Sequence, residues 1–317
     1  MHRIVWVLMF LAATSWAQTY PNKPIHMIVP LVPGGNQDIV ARAVAEEIAK
    51  NLGQPVVVEN RPGQSAIIGT QFVKNSQPDG YTLLSVAVTF ARVPAVVKAA
   101  GYHAATDFTG VSLVCRIPQV LVVHPAFPAK NLQELIAAAK ARPGEVSFGS
   151  SGNGSTGHVA AEMFMRMTGT RLLHVTYKGN AQALVDVMGG QINMMFDQVS
   201  TSGPQVRGGK LRALGVTTLS RTAVLPDVPS LHELGLTNFE DVTWNGIVAP
   251  AQTPPAVLNR LHAAIAGALS NPDLQKRYLE RGIELSASRS PGEFSAYIKS
   301  QADGFAALVR EAGIKVE

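Results

Sequence analysis

The sequence predicts an α/β protein with two lobes, and three observations carry that prediction. Short apolar segments rich in Val, Ile and Leu alternate with helical segments along most of the chain, which is typical of parallel sheets buried on both faces. The strand candidates are too many for one compact sheet, and a chain of 317 residues is long enough for two lobes. Finally, two widely separated glycine-rich loops, Leu31–Asp38 and Ser150–Thr156, each follow a strand and precede a helix.

Each strand candidate is a short apolar run bounded by turn residues. In chain order the strand candidates are Ile25–Val29, Val56–Glu59, Tyr81–Val86, Val111–Arg116, Gln119–His124, Val146–Gly149, Leu172–Tyr177, Ile192–Asp197, Leu211–Thr217 and Trp244–Ala249. A helix is expected after each glycine-rich loop. Further helices are indicated by an N-cap residue, a proline near the start or a glycine stop. They are Asn131–Ala141, Ala181–Met188, Pro254–Leu269 and Pro291–Ala312.

Two crossings between the lobes are expected to divide the chain. We place the first near Pro118–Pro128 and the second near Thr243–Pro250. Residues 18–120 and 250–317 then form lobe one, and residues 121–249 form lobe two. The C-terminal part is mainly helical and lacks a complete sheet of its own. We therefore expect it to return to lobe one.

The N-terminus has the pattern of a secretory signal. A short positive start is followed by the apolar run Ile4–Ala13, which is too short to span a bilayer. Ser15 and Ala17 are the small residues that a signal peptidase recognises. We interpret residues 1–17 as a signal peptide and expect the mature protein to be exported.

Composition and charge exclude several classes of function. Hydrophobic residues make up 46% of the chain and charged residues 15%, which indicates a globular protein. The 27 basic and 22 acidic residues include Arg3, so the mature chain carries 26 − 22 = +4. Lys and Arg form no run, and nucleic acid is therefore not an expected partner. The single cysteine, Cys115, lies in an apolar segment and is expected to be a buried thiol.

The first glycine-rich loop is open to two interpretations. Gly34 and Gly35 permit backbone conformations that larger residues resist, and Asn36 or Asp38 can cap the helix that follows. The backbone N–H groups at the start of that helix could cradle an anion. An ordinary turn between a strand and a capped helix would contain the same residue types.

The second glycine-rich loop is denser in hydrogen-bond donors. Its glycines, Gly154 among them, have the spacing of a dinucleotide-binding loop. The next strand, however, ends in His174–Lys178 without the acidic residue that would bind a ribose. A small anion is therefore favoured over a dinucleotide. The hydroxyl groups that add to the backbone donors belong to Ser150, Ser151, Ser155 and Thr156.

Catalytic and metal-binding patterns are weak, and we expect no metal or cofactor. Neither Ser151 nor Ser155 lies in a G-x-S-x-G elbow, so a hydrolase would need an unrecognised serine. His158 and Glu162 are four residues apart on one predicted helix, but no third ligand accompanies them, and an exposed or capping histidine is the simpler interpretation. Asp197 ends an apolar strand where α/β sheets hold ligands, although it could equally cap the next helix.

Segments along nearly the whole mature chain resemble one known family, in the same order. They read YPNKPIHMIVPLVPGGNQDIVAR, VVVENRPG, QPDGYTLL, FGSSGNGSTGH, HVTYKG, MGGQINMMFD, GKLRALGVT, LPDVPSLHELG and WNGIVAP. The chain thus resembles the periplasmic solute-binding proteins of tripartite tricarboxylate transporters, also called Bug receptors. This resemblance implies a type II-like periplasmic binding protein whose two lobes, joined by two crossing strands, close on a small carboxylate. The receptor would deliver that carboxylate to membrane permease subunits, and we expect it to act as a monomer.

The resemblance also implies how the ligand is held. Main-chain amides, hydroxyls and ordered waters would bind the carboxylate, with few cations facing it. The ligand-binding residues expected by position are Gly34, Gly35, Asn36, Gln64, Ser65, Val88, Thr89, Ser150, Ser151, Gly154, Ser155, Thr156, Tyr177 and Asp197.

Two departures from the family pattern leave the ligand's identity open. Leu31 and Val32 stand where an aromatic residue and a proline are usual, so an aromatic wall over the ligand is expected to be missing. Gln64-Ser65-Ala66 stands where a glycine pair is common. The alternatives to a transport receptor are a secreted hydrolase and a receptor that presents its ligand to a membrane sensor.

Overall fold

The computed structural model describes residues 20–34, 36–63, 66–152, 154–177 and 179–312. The predicted signal peptide, Gly35, Gln64, Ser65 and Lys178 lie outside these residues, as does the side chain of Asn36.

Strands and helices alternate through most of the described chain. The strands are β1 Ile25–Val29, β2 Val56–Asn60, β3 Thr82–Ala87, β4 Phe108–Val123, β5 Ser147–Ser150, β6 Leu173–Thr176, β7 Met194–Gln198, β8 Arg212–Val216, β9 Val242–Pro250 and β10 Glu284–Leu285. The helices are α1 Asn36–Leu52, α2 Ile67–Lys74, α3 Val88–Val96, α4 Leu132–Ala141, α5 Thr156–Thr168, α6 Asn180–Met188, α7 Val199–Arg207, α8 Pro255–Leu269, α9 Pro272–Leu279 and α10 Pro291–Ala312.

The long strand β4 corrects one sequence prediction. Two strands were expected, at 111–116 and 119–124, but β4 runs without interruption through 16 residues. Pro118 does not end the strand, because it lies beside Val242 at the start of β9, and β4 pairs with β9 before it and with β7 and β8 after it. A proline that cannot donate is tolerated in a strand where its missing N–H is not needed. The result is a continuous strand that serves both lobes.

The sheet order is β2-β1-β3-β9-β4-β7-β5-β6, and β8 and β10 also pair with β4. On one side, β1, β2 and β3 are parallel to one another. On the other side, β5, β6 and β7 are parallel to one another. The antiparallel strands β9 and β4 join these two parallel groups. The fold is therefore that of a two-lobed α/β binding protein whose lobes are joined by two crossing strands.

Each parallel group is covered by helices on both faces, as its continuous apolar strands predict. In β1, Ile25, Met27 and Val29 pack in one buried cluster with α1 and α8, while Ile28 packs in another with α3 and α10. In the second lobe, α4 and α5 cover one face and α6 and α7 the other. Cys115 is fully buried, in agreement with the sequence prediction, and burial raises the pKa of its thiol to about 12.

Four helices were not predicted from the sequence. Of these, α3 and α7 contain a proline, Pro94 and Pro204 respectively, which is unfavourable inside a helix. The other two, α2 and α9, have only eight residues each. Packing against the sheet stabilises helices that local propensity alone would not.

The C-terminal residues contact both lobes. The short strand β10 pairs with β4, and α8 packs on α1. Helix α10 packs on α3, and Phe305, Leu308 and Val309 in its second half also form an apolar cluster with Val159 of α5. None of the described helices is long and apolar enough to cross a membrane.

Candidate functional site

Strand direction places the loops of the two lobes opposite each other. Strand β9 is antiparallel to both β3 and β4, so β1, β2 and β3 run in the same direction as β4. Strand β7 is antiparallel to β4, so β5, β6 and β7 run in the opposite direction. The carboxyl ends of the two parallel groups therefore face each other across the middle of β4. Ligands of α/β proteins bind at such carboxyl ends.

The strand register gives the separation of these ends along β4. Ala87, the last residue of β3, is opposite Asn245, which is in turn opposite Cys115 of β4. Gln198, the last residue of β7, is opposite Gln119 of β4. These two points on β4 are four residues apart, which corresponds to about 13 Å at the rise of a strand. The ends of the two strand groups are therefore separated along β4 and do not abut.

Three helix N-termini lie around the floor of the crevice. Helix α3 begins at Val88, next to the Ala87–Asn245 pair. The Thr243 hydroxyl on β9 lies 3.4 Å from the hydroxyl of Thr156, the first residue of α5. The same Thr243 oxygen accepts from Gln198 Nε2 at 3.3 Å, just before α7. Each N-terminus carries unpaired N–H groups and a partial positive charge, which favour an anion.

The first glycine-rich loop is held by a buried carboxylate. Asp38, only 3% exposed, accepts from the Gly34 N–H at 2.9 Å, from Arg42 Nε at 3.1 Å and from Asn60 Nδ2 at 2.8 Å. Burial acts to raise the pKa of Asp38, but the hydrogen bonds from Arg42, Gly34 and Asn60 lower it below its ordinary value. Gln37 connects the same loop to β3, because its Nε2 donates to the Ser85 carbonyl at 2.7 Å.

The second glycine-rich loop is held by neutral groups. The Gly154 N–H donates to His158 Nδ1 at 3.1 Å, and the Gly152 N–H donates to Ser150 Oγ at 3.1 Å. Ser150 Oγ lies 2.7 Å from His174 Nε2 on the neighbouring strand β6. The Ser155 hydroxyl caps α5 by accepting from the His158 N–H. Both loops therefore use part of their own amide groups in internal hydrogen bonds.

Asp197 and Tyr177 have internal partners as well. Asp197 is 1% exposed and accepts from Asn180 Nδ2, the Thr201 hydroxyl and the Ser202 hydroxyl at 3.1, 2.5 and 2.6 Å. Burial raises its pKa. The Tyr177 hydroxyl donates to Asp186 Oδ2 at 2.7 Å, and burial, followed by this hydrogen bond, raises the pKa of Tyr177 to about 12. Asp197 thus forms hydrogen bonds with residues at the starts of both α6 and α7.

The structure brings most of the described candidate residues to the facing strand ends. Gly34, Val88, Ser150 and Asp197 follow or end strands β1, β3, β5 and β7. Tyr177 follows β6, the edge strand of the second lobe, and is the most peripheral of the candidates. At the rim, Leu31 and Val32 are 38% and 63% exposed and present aliphatic surface.

The remaining described candidates fall at the same places. Thr89 is an exposed residue in the first turn of α3, and Ser151 is exposed in the second loop. Gly35, Gln64, Ser65 and the Asn36 side chain lie outside the described residues. The cations described near the crevice are paired: Arg92 with Asp241 at 2.6 Å, Arg42 with Asp38 at 3.0 Å and Arg116 with Glu240 at 2.6 Å.

Sequence reasoning missed His174 and left His158 as either exposed or capping. His158 is only 5% exposed and its ring accepts from the Gly154 N–H just before α5, so the exposed alternative is wrong and the capping alternative agrees with the structure. Its position four residues after Gly154 was a usable signal. His174 reaches Ser150 only because β6 pairs with β5, which the sequence does not show. No group of three metal-ligating side chains is found in the described part of the chain.

A facing pair of parallel strand groups, two crossing strands and three helix N-termini define the class of two-lobed periplasmic solute-binding proteins. Comparison with known proteins narrows this class. Residues 40–314 match the family model of the tripartite tricarboxylate transporter family receptor, TctC. The chain belongs to this family, whose members are solute-binding receptors of the periplasm and not enzymes.

Individual relatives span nearly the whole chain. Protein BugT of Bordetella pertussis is 36% identical over 313 residues, which cover 97% of this chain and 94% of BugT. The structure of periplasmic binding protein BugD is 35% identical with a TM-score of 0.74, covering 94% of this chain and all of that one. The Rhodopseudomonas palustris protein Rpa4515 with adipate is 31% identical with a TM-score of 0.77, with the same coverage.

Proposed function

We propose that this periplasmic receptor binds a small carboxylate in the crevice between its lobes and delivers it to a membrane permease. One observation carries the proposal: the carboxyl ends of two oppositely directed strand groups face each other about 13 Å apart. The N-termini of α3, α5 and α7 begin at this crevice. Oriented N–H dipoles on both sides of one space favour a ligand that carries negative charge.

A short aliphatic dicarboxylate fits this crevice best. It can hydrogen-bond to both lobes at once, and Rpa4515, a relative with the same fold, holds adipate. The aliphatic Leu31 and Val32 stand at the rim, which favours a non-aromatic ligand body. Each described cation nearby forms an ion pair, although Nε and Nη1 of the buried Arg92 have no hydrogen-bond partner among the described residues. In this proposal hydroxyls and backbone amides supply most of the binding energy. Each hydrogen bond to a carboxylate contributes about 1.5–3 kcal/mol, and four or five support micromolar binding once entropy costs are subtracted.

The proposed ligand site comprises one set of residues from each lobe, with residues 18–120 and 250–317 as lobe one and 121–249 as lobe two. In this proposal Asp197 acts indirectly, since its carboxylate fixes Asn180 and Thr201 at the crevice end of β7. The lobe-one residues are Gly34, Gly35, Asn36, Gln64, Ser65, Val88 and Thr89. The lobe-two residues are Ser150, Ser151, Gly154, Ser155, Thr156, Tyr177 and Asp197.

Export and delivery complete the proposed function. The N-terminal 17 residues have the pattern of a cleaved signal peptide. Closure of the lobes around the ligand would be a hinge motion at β4 and β9. A monomeric closed form would then dock on the permease subunits.

The proposal is tested by binding measurements with the mature chain. Adipate, shorter and longer dicarboxylates, aromatic acids and amino acids are screened by thermal shift and confirmed by calorimetry. We expect at least one dicarboxylate to raise the melting temperature with one-to-one stoichiometry, because a ligand that binds the native state stabilises it by mass action. A well-folded protein that binds no carboxylate would contradict the proposal.

Paired variants locate the site. Thr89→Val and Thr156→Val each remove one hydroxyl from opposite sides of the crevice while keeping side-chain shape. Each is expected to weaken binding of the dicarboxylate found in the screen by about tenfold or more, the loss of one hydrogen bond to a charged group. Thr106→Val, in an exposed turn before β4, is the matched control and should leave affinity unchanged. Equal affinities in all three variants would place the ligand elsewhere.

A further inference from the structure

Two stacked imidazoles lie against the second glycine-rich loop. The ring of His158 lies 4.5 Å from that of His174, with 15° between the ring planes. His174 stacks in turn on Phe148 at 4.5 Å and 2°. His158 comes from α5, and His174 and Phe148 come from the paired strands β6 and β5. The stack therefore connects the loop to the rigid sheet beneath it.

The hydrogen bonds of His158 define its protonation state. A backbone N–H can only donate, so His158 Nδ1, 3.1 Å from the Gly154 nitrogen, must carry a free lone pair. The proton of the neutral ring is then on Nε2, which lies 3.4 Å from Glu162 Oε1. The contact requires the neutral Nε2–H tautomer, because the doubly protonated ring offers no acceptor.

His174 reaches a second loop amide through Ser150. Ser150 Oγ accepts from the Gly152 N–H at 3.1 Å, and its own proton can be donated to His174 Nε2 at 2.7 Å. This donation is shorter than the alternative contact from the hydroxyl to the Gly152 carbonyl at 3.2 Å. Burial first, and then the neighbouring His158, lower the pKa of His174 to about 4, so the ring of His174 is neutral at pH 7 and can accept.

We propose that His158 is a positioning residue of the binding site: by accepting the Gly154 N–H, its neutral ring sets the conformation in which the second loop meets the ligand. His174 supports the same loop through Ser150. Gly152 and Gly154 have φ angles of +113° and +76°. Because glycine populates positive and negative φ about equally, the intrinsic preference of these two residues does not fix the loop in one conformation. An external acceptor is what selects one conformation there. The role in ligand binding rests on the proposed function, whereas the role in loop conformation does not.

A matched pair of variants separates the acceptor from the ring. His158→Phe keeps a buried aromatic ring in the stack but removes the acceptor. His158→Asn removes the ring but keeps an oxygen at about the position of Nδ1. A residue that only filled space would be replaced better by Phe, whereas a residue that acts as an acceptor would be replaced better by Asn.

The first measurement needs no ligand. Hydrogen exchange is followed over residues 150–158 of the mature chain, with the melting temperature recorded for each variant. We expect His158→Phe to accelerate exchange of the Gly154 amide by about tenfold or more, and His158→Asn to stay within about threefold of wild type, since protection follows the hydrogen bond. Equal protection in wild type and His158→Phe would overturn the proposal.

A second measurement uses the wild-type protein and keeps the test independent of variant folding. Nitrogen-15 NMR of labelled histidine reports the tautomer of each ring. We expect His158 at neutral pH to be the Nε2–H tautomer with an unprotonated Nδ1. An Nδ1–H tautomer or a charged ring would refute the assigned hydrogen bond.

The ligand measurement then links positioning to function. Affinity is measured by calorimetry with adipate, or with whichever dicarboxylate of the screen binds wild type. We expect His158→Phe to weaken binding by about tenfold and His158→Asn to restore most of the loss. Unchanged affinity in His158→Phe, together with faster exchange, would remove the role in binding. Absence of binding by wild type would instead refute the proposed function while the exchange result still decides the loop's conformation.

Discussion

In each glycine-rich loop a glycine N–H is bound by a side-chain acceptor, and the two acceptors differ in chemistry. In the first loop the Gly34 N–H is held by the carboxylate of Asp38, which Arg42 and Asn60 neutralise and bind. In the second loop the Gly154 N–H is held by a neutral imidazole. The acceptor of the first loop is therefore a carboxylate whose charge is balanced by Arg42, whereas the acceptor of the second loop is an imidazole, with Glu162 on the far side of its ring. A ligand carboxylate at the second loop would not meet a like charge on the acceptor itself.

The largest expected effect comes from removing the charged anchor. Asp38→Ala should destabilise the protein by about 2–4 kcal/mol, because it removes a buried carboxylate that accepts from the Gly34 N–H, Arg42 and Asn60 at once. Ser150→Ala, in the neutral loop, should cost only about 1–2 kcal/mol, the value for an uncharged buried hydrogen bond. Urea unfolding measures both. Asp303→Ala, which removes an exposed partner of Lys299, is the control and should change stability little. Equal losses for Asp38→Ala and Ser150→Ala would remove the distinction between the loops.

The second effect is a pH dependence expected of the second loop. The pKa of His174 is lowered from 6.5 to about 4, by burial first and then by His158, with Glu162 acting in the opposite direction. Between these values the unfolded chain binds a proton that the folded chain does not. The contribution of His174 is therefore fully favourable above pH 6.5 and is lost as the pH falls toward 4.

The size of this pH effect can be measured by comparison with one variant. We expect a loss of about 1–2 kcal/mol, a value reduced because the ring is only partly buried and solvent screens its charge. Thermal unfolding of wild type and His174→Gln from pH 7 to pH 4 gives the contribution by difference. Parallel stability curves would show that the imidazole does not titrate as proposed.

The third expected effect concerns the positive φ angles that glycines adopt in both loops. Gly34 and Gly154 have φ angles of +84° and +76°, and an added Cβ would meet nothing at Gly34 and only Phe305 at 3.7 Å at Gly154. Gly34→Ala and Gly154→Ala should each cost about 1–2 kcal/mol through backbone strain alone. Gly304→Ala in α10 has the opposite expectation, a gain of about 1 kcal/mol, because alanine is the better helix former. A loss much larger in one loop than in the other would show that its surroundings add steric strain.

Much of the fold could be predicted from local pattern. The β1 prediction agrees with the structure residue for residue, and the N-cap expected at Asn131 is present, since its side chain accepts from the Glu134 N–H. Such features depend on neighbouring residues, which a sequence displays directly. The continuous strand β4 was predicted as two because a proline usually interrupts a strand, and only the pairing of Pro118 with Val242 shows why it does not here.

The candidate site was predictable in part. The sequence showed the glycine-rich loops and the helices that follow them, but it did not show all the acceptors that bind the loop amides. Asp38 lies four residues from Gly34 and was considered only as a helix cap. His174 is 24 residues from Ser150, and Thr243 is 87 residues from Thr156. Contacts at such separation depend on which strands become neighbours.

The sequence by itself determined the alternation of strands and helices, the two glycine-rich loops and the family, because these features are written in local composition and spacing. The tertiary structure decided that the strand ends before the two loops face each other and which internal acceptors bind the loop amides. The physical reason is that strand direction relative to β4 is set by long-range pairing, and a buried N–H bonds whichever acceptor that pairing brings within reach.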